Sequence, residues 1–120
     1  MQEGDGLKKK VETAWLFAFY APMLTSKQQD VLRLYLEEDM SLSEIAGEQS
    51  ISRQGVHEAL QRTTRQLYEL EEKLHMAKRF TAMREGLNKA LDALEKGNTL
   101  GARDIITGLK RLDEEEDNGL

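Results

Sequence analysis

The chain has 120 residues, 39% hydrophobic and 32% charged, with 17 Lys and Arg against 22 Asp and Glu for a net charge of −5. One domain, or one domain with an extension, fits that length, and a single proline with few β-branched runs points to an all-α fold. The absence of cysteine excludes a disulfide framework and a thiolate zinc site; the longest apolar cluster, AWLFAFYAPML, is too short to span a bilayer, so a cytoplasmic protein is expected.

Residues 1–7 are expected to be flexible. A first helix over 8–20 follows, because Val11, Ala14, Trp15, Ala18 and Phe19 recur at helical spacing and form an aromatic face suited to the core. Pro22 ends or kinks it. Thr25 with Gln28 makes a capping box for a second helix reaching about Glu38, which buries Val31, Leu32 and Tyr35 and partly covers Leu34 and Leu36. Glu38 and Asp39 form a polar turn.

Residues 41–67, SLSEIAGEQSISRQGVHEALQRTTRQL, carry the most information. Ser41 with Glu44 is another capping box. Ile45 and Ala46 face inward, and Ile51 plugs a turn after Gln49 and Ser50. Ser52 then caps a new helix. Val56, Ala59 and Leu60 lie on its inner face; Arg53, Gln54, His57, Glu58 and Gln61 lie on the outer one. That is the layout of a helix-turn-helix whose second helix reads a DNA groove. Those five are the candidate base contacts, with Ser52, Arg62, Arg65 and Lys27 on phosphates. Two short amphipathic helices that never meet DNA would give the same pattern. Ser50 occupies the turn position most often filled by Gly, and Ser adopts a left-handed backbone less easily. Gln49 stands where an apolar residue is expected.

Val56, Leu60, Thr63, Leu67, Leu70 and Leu74 then alternate steps of four and three. This heptad-like seam extends the recognition helix to about Lys78 and must be covered. A homodimer through Leu60, Leu67, Leu70 and Leu74 is the expectation carried forward; packing within the chain is the alternative. Met83, Leu87, Ala90, Leu91 and Leu94 share one face of a further helix stopped by Gly97, and a short helix runs from about Thr99 to Leu112. The acidic tail, 113–120, is expected to be disordered.

The tail DEEED holds five of the 22 acids, so residues 1–112 carry 17 basic and 17 acidic side chains. Between Arg53 and Arg79 six basic residues face four acidic ones, a mild positive bias. No phosphate loop, HExxH pair or GxSxG elbow occurs, so neither an enzyme nor a cofactor is expected. Glu71 and His75, one turn apart, read as an ordinary surface pair, not a metal site.

Leu16-Phe17-Ala18-Phe19-Tyr20, Leu24-Thr25-Ser26-Lys27-Gln28, Leu42-Ser43-Glu44-Ile45-Ala46, Ser52-Arg53-Gln54-Gly55-Val56 and Leu70-Glu71-Glu72-Lys73-Leu74-His75-Met76 occur in that order. In this combination the chain resembles the YlxM family of small bacterial proteins over roughly residues 8–80. That family is similar to the DNA-reading fourth region of bacterial primary sigma factors. The resemblance implies an all-α, sigma-region-4-like helix-turn-helix domain at 8–80; the long recognition helix and the C-terminal helical extension at 81–112 rest on apolar spacing alone. The resemblance also implies a regulatory role in the signal recognition particle pathway. The partner is then DNA or, as the alternative, the RNA or GTPase of that particle.

Overall fold

The computed structural model describes the backbone of residues 2–118 and the side chains of residues 6–114. The described residues form helices α1 (Gln2–Tyr20), α2 (Ser26–Leu36), α3 (Leu42–Gln49), α4 (Arg53–Leu74), α5 (Met76–Glu95) and α6 (Thr99–Asn118), with a 3-10 turn at Ala21–Met23 and no strand. The fold is all-α. Two compact units divide the chain, Met1–Ala77 and Lys78–Leu120.

Three boundaries differ from the sequence reading. The first helix starts at Gln2, so residues 2–7 are helical rather than flexible. The recognition helix stops at Leu74, where His75 turns left-handed (φ 54°) and donates its N–H to the Glu71 carbonyl at 2.8 Å. The last helix continues to Asn118 through most of the acidic segment expected to be disordered. Met1 and residues 119–120 of that segment lie outside the described residues.

The buried face of α1 is also a different one. Thr13, Leu16, Phe17 and Tyr20 are buried, whereas Val11 and Trp15, expected in the core, are 61% and 41% exposed. Residues 14–21 are apolar on nearly every side, so helical period alone permits more than one inner face. The face that meets α2 and α4 wins, and Trp15 instead sets its ring edge-on against Phe19, centroids 5.1 Å apart.

Two hydrophobic clusters fill the first unit, and α2 serves both. Leu32 joins Leu16, Phe17, Tyr20, Leu24, Leu67 and Ala77 in one; its neighbour Val31 joins Ile45 and Val56 in the other. The capping boxes at Thr25–Gln28 and Ser41–Glu44 both form. Gln28 does more than cap. Its Oε1 accepts from the Thr25 N–H at 2.9 Å, while its Nε2 donates to Thr63 Oγ1 at 3.2 Å and to Gln66 Oε1 at 3.0 Å. The buried hydroxyl in the α4 seam is thereby satisfied from α2.

The seam itself is covered from within the chain. Val56 and Leu67 are fully buried, and Leu60 and Leu70 pack against the same clusters. Leu67 therefore has no surface to offer a second copy, as the dimer seam would have required; only Leu74 at the end of α4 stays exposed. The alternation of four and three steps records burial, and both intrachain and interchain packing satisfy it.

At the end of the seam, Tyr20 and Glu71 form a buried link. The Tyr20 hydroxyl donates to Glu71 Oε1 at 2.5 Å and accepts from the Met76 N–H at 3.1 Å. Glu71 Oε1 also accepts from the Ala77 N–H at 3.0 Å. Glu71 thus caps the start of α5, satisfying a donor that no intrahelical carbonyl reaches.

In the second unit, α5 ends at Glu95 and Gly97 makes the turn at φ 78°. Asn98 then caps α6, its Oδ1 accepting from the Gly101 N–H at 2.9 Å.

Candidate nucleic-acid interface

Helices α3 and α4 meet through a tight turn. Ser50, left-handed at φ 55° and ψ 42°, closes α3, and both its N–H and that of Ile51 donate to the Ala46 carbonyl. Ser52 resumes an extended backbone, and its Oγ accepts from the Gly55 N–H at 2.9 Å to start α4. Ile45 and Val56, both fully buried, seal the two helices together from beneath. At the α3 entrance, Glu44 is held below its ordinary carboxyl value of 4.5 by the Ser41 N–H and then by the Ser41 hydroxyl. Sequence spacing and geometry agree on a helix-turn-helix.

All five candidate base-contact residues, Arg53, Gln54, His57, Glu58 and Gln61, are exposed on the side of α4 away from that seal. They do not form one cluster. Arg53, Gln54 and Glu58 sit at the open N-terminal end, where Gln54 Nε2 approaches Glu58 Oε1 at 3.4 Å. His57 and Gln61, joined by Thr64, Arg65 and Tyr68, line one wall of a cleft of about 1020 Å³. Ser52, Arg62 and Lys27 are exposed but lie outside the cleft lining.

The opposite wall of the cleft is α1, and it supplies residues the sequence reading passed over: Lys8, Lys9 and Lys10, with Glu12 and Thr13. Lys10 is already engaged, 2.8 Å from Asp39 Oδ1 and 4.5 Å above the Tyr35 ring. Its hydrogen bond and charge hold the Asp39 carboxyl below the usual range. That contact ties α1 to the turn before α3, while Lys8 and Lys9 remain exposed and line the same cleft as Arg65. Tyr68 closes the cleft, its hydroxyl donating to Glu12 Oε2 at 3.0 Å; burial and then that carboxylate raise its phenol above the ordinary value. Three consecutive lysines were the available signal. They acquire meaning only when α1 packs on α4.

Such an arrangement suits an anionic polymer. Hydrogen-bonding side chains project from the start of a helix, and flexible cations flank it on a neighbouring element. Among the described residues no helix is long and apolar enough to cross a membrane, and no group of three acidic or histidine side chains is placed to hold a metal ion.

The sequence profile of the YlxM / p13-like helix-turn-helix proteins, designated UPF0122, matches residues 7–104. The chain is 43% identical over 109 residues to the UPF0122 protein YlxM of Bacillus subtilis, covering 89% of this chain and 98% of that one. It is 40% identical over 111 residues to a UPF0122 protein of Limosilactobacillus fermentum, covering 89% and 96%. A Mycoplasma capricolum UPF0122 protein is 35% identical over 106 residues, covering 88% and 89%. The profile match extends past the second helix of the motif and through α5, well beyond the span in which the sequence motifs occur.

Proposed function

Because the chain belongs to the YlxM / p13-like helix-turn-helix family, we propose that it is a DNA-binding regulatory protein reading the major groove with the N-terminal half of α4. The observation that carries this reading is the two-sidedness of that half-helix. Val56 is sealed onto Ile45 beneath, while Arg53, Gln54, His57, Glu58 and Gln61 are exposed above. Arg53 and Gln54 address base edges, with the other three beside them. Ser52, Arg62, Arg65 and Lys27 meet phosphates, and Lys8 and Lys9 add contacts from the far wall of the cleft. A homodimer is the species expected to bind, since one near-neutral copy neutralises few phosphates.

The test is fluorescence anisotropy against genomic fragments over a range of salt, with the signal recognition particle RNA as competitor. Arg53→Ala should cost about 1–3 kcal/mol of discrimination between fragments, and Lys9→Ala should weaken binding to all of them alike. No binding at low salt, or indifference to Arg53→Ala, would overturn sequence-specific reading. Displacement by the particle RNA in preference to every fragment would make that RNA the ligand of the same face.

A further inference from the structure

Helices α5 and α6 leave most of their large apolar side chains outside. The contact between them uses small residues: Ala90 and Ala102 are buried, and the Leu109 side chain lies so close to Gly86 that it leaves no room for a Cβ there. Leu87, Leu91 and Leu94 on α5 are about half exposed, as are Ile106 and Leu112 on α6. Leu87, Leu91 and Leu94 share one face of α5 and together expose on the order of 300 Å² of apolar surface, the size at which a patch on a monomer is often an interaction site.

We propose that the Lys78–Leu120 unit pairs with the same unit of a second copy of this chain, α5 against α5 in antiparallel order. Spacing is the first argument. Leu87, Leu91 and Leu94 step by four and then three, the spacing of one heptad of a helix–helix seam. Unlike the α4 seam, this one is exposed. Charge is the second argument. Arg84 and Glu95 flank the seam, eleven residues and therefore just over three full turns apart, so they lie on the same side of α5. Both are exposed, and neither makes an ion pair among the described residues. With the two-fold axis level with residues 89 and 90, Arg84 of each copy comes beside Glu95 of the other. A parallel pairing would set like charges together instead.

Sedimentation of the full chain without nucleic acid tests this, so its outcome is separate from that of the DNA reading. The wild type should be dimeric at micromolar concentration. Leu91→Glu should be monomeric with unchanged circular dichroism, because the side chain it replaces is 56% exposed. Arg84→Glu should weaken the dimer roughly tenfold, and adding Glu95→Arg to it should restore wild-type association. A monomeric wild type, or a dimer that survives Leu91→Glu, would overturn the proposal. Failure of the double charge exchange to restore the dimer would overturn the antiparallel register.

Discussion

Replacing Ser50 by glycine should stabilise the first unit. Ser50 closes α3 in the left-handed region, at φ 55° and ψ 42°. A residue with a Cβ pays about 1–2 kcal/mol there, from the approach of Cβ to the following carbonyl oxygen. The hydroxyl offsets none of this, since it has no hydrogen-bond partner among the described residues. Both bonds that close the turn, from the N–H groups of Ser50 and Ile51 to the Ala46 carbonyl, belong to the backbone and survive the change. Glycine costs about 0.5–1 kcal/mol through the greater freedom of the unfolded chain, so the net gain is on the order of 0.5–1 kcal/mol. For a unit of this size that is about 2–8 °C in Tm. Trp15 is the single tryptophan and sits in α1 of the same unit, so its fluorescence follows this transition. Ser50→Ala, which keeps the Cβ, serves as the control and should give no gain. A lower Tm for Ser50→Gly, or an equal rise for Ser50→Ala, would refute the backbone argument.

Tyr20→Phe removes a hydrogen bond to a carboxylate and one from a backbone N–H, and should cost about 1–3 kcal/mol near neutral pH in urea melts. Burial and then Glu71 raise the Tyr20 phenol above its ordinary value of 10.0, so its contribution is complete below about pH 10 and disappears as pH climbs through the raised value. The variant should therefore lose less stability than the wild type as pH rises above about 10; an equal alkaline loss would dissociate that slope from Tyr20. Leu67→Ala, at a fully buried position, should cost about 3–5 kcal/mol, and Leu67→Glu should unfold the first unit rather than release a folded monomer. A folded Leu67→Glu protein would return the α4 seam to the dimer interface.

What the sequence made legible was short-range. The capping boxes at Thr25–Gln28 and Ser41–Glu44 and the Ser52 cap join residues three apart, so their chemistry is complete within a local window. The inner face of α1 was not legible, because an apolar run such as AWLFAFYA suits several faces and the choice depends on contacts with Leu32 and Leu67 far along the chain. The break at His75 carried no glycine or proline. What fixes the start of α5 there is Glu71, held by a tyrosine 51 positions upstream. The α4 seam was visible as a period while its partner was not, since a helix of the same chain and a helix of another copy satisfy one spacing equally. Helix α6 runs into the acidic segment because Leu and Glu are good helix formers, although the charged composition of that segment made disorder the expectation.

Charge shows the same dependence on folding, and here it yields a measurable number. Counted along the chain, the recognition region has only a slight basic excess; counted around the cleft, Lys8 and Lys9 stand across from Arg65. With Lys27 and Arg62, each copy then offers five cations to phosphates, and each phosphate neutralised adds about −0.9 to the slope of log affinity against log salt. One bound copy should give a slope of about −4.5, and two copies engaged together about −9. Lys8→Ala with Lys9→Ala should reduce the magnitude by about 2 per copy if α1 contributes, and by nothing if the cleft stays clear of the backbone. Leu91→Glu should bring a dimer's slope down to that of a single copy while leaving the preference among fragments intact, because Leu91 is on α5 and the candidate base contacts are on α4. A slope near −9 that persists in Leu91→Glu would mean that two copies assemble on DNA without the α5 contact.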